Sequence, residues 1–297
     1  MSRANKLFSK QLVTLARQAG GSFKTVADRT RIAKSLAERM LRLNIQIRDV
    51  KNIKTSHIET YIHSRQSEGI TKRTLQNEMA ALRGILSTAG RSKLACPQHE
   101  KLSNEALGLS GASRDGTKVA ISDERYRAAL VLAMAKDEGV AAAMQLARYL
   151  GLRTEEAIQS AKSVKTWLQA LEKGEEKIRV IFGTKGGRAR ETTIINREQV
   201  FQAVKFAVKQ IDKQAGRLVD RLELKSAITR YRNVTASVGL TGKYSPHSLR
   251  YAFSVEATDF HKAKGLSQQE AEAMTSMDLG HGDGRGHYVA RIYNKVE

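Results

Sequence analysis

Apolar side chains recur at helical spacing through most of this 297-residue chain, and only two prolines, Pro97 and Pro246, interrupt helix formation. In the first hundred residues the spacing marks four amphipathic helices, of which the fourth begins near Thr71 and carries Leu75 and Met79. Helical patterns also dominate the second half of the chain. The pattern therefore predicts a mainly α-helical protein.

A short exception lies between residues 177 and 195. Residues 177–182 alternate apolar and polar side chains, as a strand does, and residues 189–195 are interpreted as its partner strand. The glycine-containing sequence GTKGGR separates the two segments. This arrangement predicts a β-hairpin. The expected fold class is therefore mainly α with a small β-hairpin or sheet (α+β).

A second break in the helical pattern lies between Gly90 and Lys118, a stretch that contains Pro97, three further glycines, several serines and Asn104. We expect a helical domain over residues 1–100, a linker over 101–118 and a second domain over 119–297. Two domains also agree with the usual domain size of about 150 residues.

The chain carries 51 Lys and Arg residues against 30 Asp and Glu residues, a net charge of +21. The excess is +13 in residues 1–118 and +8 in residues 119–297, so both parts are basic. A charge of this size exceeds what solubility needs and indicates a polyanionic partner: DNA, RNA or an anionic membrane surface. Two basic modules could share one polyanion.

The sequence indicates neither membrane insertion nor secretion. No apolar run approaches 18 residues, and the stretch at 128–135 is followed at once by Lys136, Asp137 and Glu138. The first ten residues lack the apolar core of a signal peptide. The single cysteine, Cys96, cannot form an internal disulfide, which agrees with a reducing cytoplasm. One cysteine is also too few for a cysteine-based zinc module.

Four separated segments carry the residue types of a charged active site: LGLRTEE at 150–156, GTKGGRAR at 183–190, SPHSLRYAF at 245–253 and LGHGDGRGHYVARIYNK at 279–295. Taken alone, each segment is explained without a functional role. The hairpin lysine could simply be solvated, and His247 and Arg250 could lie on a surface helix face. The order across the four segments is Arg, then Lys, then His-x-x-Arg, then Leu-Gly-His, then Tyr. This order resembles the tyrosine recombinase (phage integrase) family.

The resemblance implies a helical core-binding domain and a catalytic domain that together form a clamp around DNA. It implies that the acid Glu156 supports the active site. The catalytic positions that match the family are Arg153, Lys185, His247, Arg250, His281 and Tyr293.

These residue types suit the attack of a tyrosine on a phosphodiester. Two arginines can hold the non-bridging oxygens of the transition state through permanently charged forks. A histidine can assist a phenol, whose ordinary pKa is near 10, and a lysine can protonate the departing 5′ oxygen. A 3′-phosphotyrosine keeps the bond energy, so rejoining needs no metal, ATP or other cofactor.

The position of the nucleophile departs from the family pattern. The tyrosine usually follows the Leu-Gly-His histidine by nine residues, but residue 290 is alanine; Tyr288 and Tyr293 follow His281 by seven and twelve residues. We favour Tyr293 because ARIYNK resembles the usual surroundings and the glycine-rich GDGRG can absorb three extra residues. Tyr288 is the alternative nucleophile, or packs the last helix. Tyr251, where many members have a second histidine, is interpreted as a supporting or packing residue.

Other kinds of site are weakly indicated. The hairpin glycines do not form a P-loop, because GxxxxGK[ST] is absent, and His281, Asp283 and His287 match no strong zinc signature, so we expect no metal site. Trp167 is interpreted as a structural anchor. We expect several basic residues of 24–54 to contact phosphates.

The resemblance implies double-stranded DNA with inverted-repeat core sites as substrate, a homotetramer on that DNA, and a cytoplasmic, nucleoid-associated location. Since the apolar pattern begins at Leu7, we expect no separate arm-site-binding domain before it, and host DNA-bending proteins could assist. Two alternatives stay open. One is a DNA-binding accessory or regulatory protein that has lost catalysis on the same scaffold. The other, disfavoured by an aromatic content of 5%, is an RNA-binding protein.

Overall fold

Two units make up the chain in the computed structural model, Met1–Arg114 and Asp115–Glu297. The structure describes residues 3–113 and 115–294, with side chains from residue 6 onward. Each unit has its own apolar core.

The first unit buries the apolar stripes that the sequence pattern marks. Its core includes Leu12, Leu36, Ile62 and Leu82, all nearly inaccessible to solvent. The helices are α1 (Arg3–Gln18), α2 (Phe23–Arg42), α3 (Thr55–Ser67), α4 (Lys72–Thr88) and the short α5 (Ser92–Ala95).

The segment that the sequence suggests as a linker, 101–118, belongs in part to the first unit. Leu102, Leu107 and Leu109 are buried in its core, and the side-chain amide of Gln66 donates to the carbonyl of Leu107 at 2.8 Å. The irregular chain therefore packs on the helices as far as residue 109, because its three leucines make apolar contacts with them. The Gly and Ser content of the segment does not predict this packing.

The second unit is also helical and contains the hairpin. Its central helix, Glu138–Tyr149, is buried on nearly all sides, and residues 139–144 are all buried. The elements are α6 (Asp123–Lys136), α7 (Glu138–Tyr149), α8 (Thr154–Gln159), α9 (Val164–Glu172), β1 (Lys177–Val180), β2 (Arg190–Thr193), α10 (Arg197–Lys213), α11 (Leu224–Ser237), α12 (His247–Ala263), α13 (Gln268–Asp278) and α14 (Gly286–Ile292). The predicted fold class, mainly α with a small β-hairpin, is confirmed.

Strands β1 and β2 pair antiparallel, with Lys177 opposite Thr193 and Val180 opposite Arg190. They are shorter than the predicted 177–182 and 189–195, because residues 181–189 form a wide turn containing three glycines with φ of 72–75°. The indole N–H of Trp167 donates to the carbonyl of Arg179 at 2.9 Å and so ties α9 to β1.

Across residues 3–113 and 115–294, no helix combines the length and apolar character needed to cross a membrane.

Candidate active site

The residues singled out from the sequence gather around an open cavity of about 1070 Å³ in the second unit. They come from the turn before α8, the β1–β2 turn, the start of α12, the loop after α13, and the end of α14. The side chains at the cavity surface include Arg153, Lys185, His247, His281, Tyr288 and Tyr293. Arg250 and Glu156 are fully buried and belong to the same cluster.

Glu156 is the centre of a buried ionic cluster. Its carboxylate accepts from Arg153 Nη1 at 2.6 Å and Arg190 Nη2 at 2.9 Å, and Arg250 Nη1 lies 3.8 Å away. It also accepts the backbone N–H of Arg153 at 2.9 Å, as an acid in the first turn of a helix does. One carboxylate therefore orients three guanidinium groups.

The neighbouring guanidinium groups keep the Glu156 carboxylate ionised. Burial alone would raise the pKa of Glu156, but the positive charges of Arg190, Arg250 and Arg153 outweigh it and lower the pKa to about 2. Burial lowers the pKa of Arg250 to about 10, which still leaves the guanidinium protonated near neutral pH. The cluster carries a net positive charge.

Backbone carbonyls complete the support of these arginines. The carbonyl of Leu279 accepts from Arg153 Nη2 at 3.2 Å and from Arg250 Nη2. The carbonyl of Gly151 accepts from Arg190 Nη2 at 3.2 Å and from Arg250 Nη1. The Nε–H of Arg250 is buried with no acceptor in the described part of the chain.

Arg190 is a site residue that the sequence reasoning missed. It stands in the GTKGGRAR segment, but its neighbours in the sequence are exposed and nothing in the motif separates it from a solvated hairpin arginine. Its burial in the Glu156 cluster arises from tertiary contacts alone.

Tyr293 and His281 are joined by a hydrogen bond at the cavity. The Tyr293 hydroxyl lies 3.1 Å from His281 Nε2, and Arg250 Nη2 lies 3.5 Å from the same nitrogen. A guanidinium can only donate, so the hydrogen-bond network assigns Nε2 as the acceptor and the tyrosine hydroxyl as its donor. The arrangement directs the tyrosine proton to His281.

His247 packs beside this pair. Its ring centroid lies 5.7 Å from that of Tyr293 and 5.5 Å from that of Tyr251, in edge-to-face geometry. Tyr251 packs on Tyr293 with centroids 4.7 Å apart, which agrees with its interpretation as a packing residue.

Both site histidines are neutral near pH 7. Burial, followed by the charges of Arg250 and Arg153, lowers the pKa of His247 to about 4. The same causes, again with burial first, lower the pKa of His281 to about 3. A neutral imidazole can accept a proton or a hydrogen bond from a reacting group.

Tyr288 lies at the same cavity in a different setting. Its side chain is 37% exposed, and its ring centroid is 5.1 Å from that of His281. Its hydroxyl makes no hydrogen bond with the residues described, whereas Tyr293 is 4% exposed and bonded to His281.

The residue after Tyr293 anchors the end of α14. Asn294 accepts from the Ser254 hydroxyl at 2.8 Å and donates to the Thr258 hydroxyl at 3.1 Å, both on α12. The sequence reasoning did not single out Asn294, although it belongs to the ARIYNK segment. This contact fixes Tyr293 against the helix that carries His247 and Arg250.

Lys185 is exposed in the β1–β2 turn at the rim of the cavity. Within residues 3–113 and 115–294 its ammonium has no hydrogen-bond or ion-pair partner. Such a group is free to donate to a bound molecule.

The cavity is strongly basic. Its two acidic lining residues are Glu191 and Asp278. Its basic lining residues are Arg153, Lys177, Arg179, Lys185, Arg188, Arg190 and Arg285. The described residues contain no group of three or more His, Cys, Asp or Glu side chains that could hold a metal ion. The arrangement suits an anion such as a phosphodiester, next to a hydroxyl nucleophile and a neutral imidazole.

Sequence comparison identifies the family. A model described as Integrase matches residues 108–256, half of the chain, and one described as Phage integrase, N-terminal, matches residues 4–95. The chain belongs to the integrase family of tyrosine recombinases. The integrase match ends before His281, Tyr288 and Tyr293. No curated protein matches the sequence significantly.

Solved integrase structures share this integrase's fold at low sequence identity. The lambda integrase tetramer bound to a Holliday junction matches with a TM-score of 0.59 at 16% identity, over 98% of this chain and 79% of that chain. The Tn1549 transposon integrase in complex with transposon right end DNA matches with a TM-score of 0.61 at 14% identity, over 99% and 95%. The lambda integrase dimer bound to a COC′ core site gives 0.57 at 15% identity, over 98% and 79%.

Proposed function

We propose that this integrase is a site-specific DNA recombinase that cleaves and rejoins DNA through a 3′-phosphotyrosine, with Tyr293 as the nucleophile. The observation that carries the proposal is the Tyr293 hydroxyl, 3.1 Å from His281 Nε2 at a cavity lined with Arg153 and Lys185. Membership of the integrase family supports it.

In the proposed reaction the Tyr293 oxygen attacks the scissile phosphorus, the P–O5′ bond breaks, and the tyrosine proton passes to His281. His281 is placed for this role because its Nε2 already accepts the hydrogen bond from the hydroxyl. The negative charge of a bound phosphate would counter the lowering of its pKa by burial and by the arginine charges. Lys185, exposed and without a partner in the described chain, donates the proton that the departing 5′ oxygen needs.

Arg153 and Arg250 stabilise the charge that grows on the non-bridging oxygens. Arg153 is partly exposed to the cavity and can bind the phosphate directly. Arg250 lies beneath the Tyr293 ring, with its Cζ 5.6 Å from the ring centroid, so its positive charge lies beside the nucleophile. Glu156 holds both guanidinium groups, and His247 supports the tyrosine ring.

Tyr288 is the alternative nucleophile. Its ring faces His281, but its hydroxyl lacks the hydrogen bond that would take its proton. The geometry therefore favours Tyr293, although its spacing from His281 exceeds the usual one by three residues.

We further propose that residues 1–100 form a helical core-DNA-binding domain and residues 119–297 the catalytic domain. The net charge of +21, spread over both parts, supports a grip on duplex phosphates. Solved relatives include a lambda integrase tetramer bound to a Holliday junction and a dimer bound to a core site. By analogy, we propose inverted-repeat core sites as the substrate and a homotetramer as the active assembly, which host DNA-bending proteins could assist.

The test is a covalent-trapping experiment with the full chain. Because the target site is unidentified, the probe is a pool of duplex oligonucleotides of randomised sequence, each with a nick in one strand. The short fragment released by cleavage diffuses away, so rejoining fails and the covalent adduct accumulates. DNA that stays bound in SDS is recovered and sequenced.

Wild-type protein should give adducts on a recurring sequence, Tyr293→Phe should give none, and the matched Tyr288→Phe variant should retain them. The reverse pattern would make Tyr288 the nucleophile. Tight duplex binding without any adduct would instead favour a DNA-binding accessory protein, and preference for RNA in competition at fixed salt would reject both readings.

A further inference from the structure

A buried carboxylate ties the strand after the lysine turn to the helix before His281. Asp278 is the last residue of α13, and its side chain is 4% exposed. Its Oδ1 accepts from the Thr193 backbone N–H at 2.9 Å and the Thr193 hydroxyl at 2.8 Å. Its Oδ2 lies 2.8 Å from His261 Nε2 on α12.

The other end of β2 is tied to the same place. Arg190, the first residue of the strand, donates through Nη1 to the backbone carbonyl of Asp278. Gly280 makes room for it, because a Cβ at that position would lie 2.5 Å from Arg190 Cδ. Both ends of a four-residue strand are thus fastened to the end of α13.

These contacts matter most for Lys185. The lysine has no partner of its own among the described residues, so its position depends on the strands that flank its turn. His281 has separate support: its backbone N–H donates to the Ser276 carbonyl at 2.9 Å, and the Ser276 hydroxyl donates to the carbonyl of Gly282 at 2.9 Å. Loss of the Asp278 carboxylate should therefore free the hairpin more than the histidine loop.

We propose that Asp278 is a positioning residue that, through Thr193, holds the β1–β2 turn so that Lys185 reaches the departing 5′ oxygen. The proposal rests on the proposed function, in which Lys185 is the general acid. His261 and Thr193 act with Asp278 as one buried unit.

The test separates proton donation from the rest of the reaction. A duplex recovered from the trapping pool is made in two forms, with oxygen or with sulfur at the 5′ bridging position of the scissile phosphate. In both, the Tyr293 oxygen bonds to phosphorus. The oxygen form releases a 5′ hydroxyl that needs a proton, whereas the sulfur form releases a thiolate that does not, since thiols have a pKa near 8.5.

Single-turnover cleavage by the full chain is then compared on the two substrates. Lys185→Ala sets the reference, with a loss of about a hundredfold on oxygen and little loss on sulfur. Asp278→Ala should be slowed at least about tenfold on oxygen and stay within about threefold of wild type on sulfur. Asp278→Asn, which keeps an acceptor for Thr193, should restore most of the rate on oxygen.

Two further variants control for a folding defect. Thr193→Val removes one of the two hydrogen bonds to Oδ1 and should show the same oxygen-specific loss at smaller size. Thr235 is also a buried threonine, and its hydroxyl bonds within α11, so Thr235→Val should behave as wild type on both substrates.

Equal slowing of the Asp278→Ala and Thr193→Val variants on both substrates would overturn the positioning role, as would full activity of both on oxygen. A wild-type protein that cleaves neither form, or a Lys185→Ala variant that sulfur does not rescue, would instead refute the proposed function itself.

Discussion

At the scale of single residues, Glu156 compensates buried positive charge, because its buried carboxylate faces three guanidinium groups. Glu156→Gln should lower the free energy of unfolding by about 3 kcal/mol, because it leaves buried positive charge uncompensated. Denaturant unfolding followed by fluorescence of Trp167, the single tryptophan, reports on this unit. The exposed neighbour Glu155, changed to Gln, is the matched control and should change little. Equal stability of the two variants would contradict the prediction.

A second residue-scale prediction concerns pH. The pKa of His247 is about 4 in the folded protein against 6.5 for an ordinary histidine, so between these values the unfolded chain binds more protons. Stability should therefore fall as pH drops from 6.5 towards 4. In His247→Gln this fall should be shallower by about 1.4 kcal/mol per pH unit, the slope for one proton. Thermal unfolding from pH 7 to 4.5 measures it, and parallel curves for variant and wild type would be inconsistent with a buried neutral imidazole.

Sequence and structure also differ in what they reveal about individual residues. Arg153, Lys185, His247, Arg250 and His281 are recognisable in the sequence because each stands in a short motif with a fixed order. Roles such as those of Arg190 and Asp278 have no such signal. Arg190 bonds to Glu156, 34 residues away, and Asp278 bonds to Thr193, 85 residues away, so no local spacing in the sequence predicts these contacts.

At the scale of elements, α14 is held by the chain that enters the second unit. Gly116 lies against it so closely that a Cβ would be 2.2 Å from the carbonyl oxygen of Ile292 and 2.8 Å from the Tyr251 hydroxyl. Gly116→Ala should therefore displace α14 and slow adduct formation about tenfold, since small misplacements of a nucleophile are costly. Duplex binding should change little. An unchanged rate of adduct formation would show that α14 tolerates the shift.

The elements themselves follow largely from the sequence. Apolar spacing predicted the helices of both units, and alternation predicted the hairpin; both are present. The strands were predicted too long at the hairpin end, because the glycines at 183, 186 and 187 widen the turn to include residues 181, 182 and 189. Residues 101–109 were predicted as a linker but pack on the first unit, since their leucines are too irregularly spaced to mark an element.

At the scale of the whole molecule, the basic residues behind the net charge of +21 have two roles, which the salt dependence of DNA binding should distinguish. Most of it should neutralise duplex phosphates, so the logarithm of the binding constant should fall with the logarithm of salt concentration at about −0.9 per phosphate neutralised. Arg153 and Lys185 should act on one scissile phosphate. Their alanine variants should shift that slope by no more than about one unit, yet slow cleavage by about a hundredfold or more. Fluorescence anisotropy over a salt series and the trapping assay measure the two effects. A steep loss of affinity in either variant, with cleavage per bound complex unchanged, would mean that these residues grip the duplex and do not act on the bond that breaks.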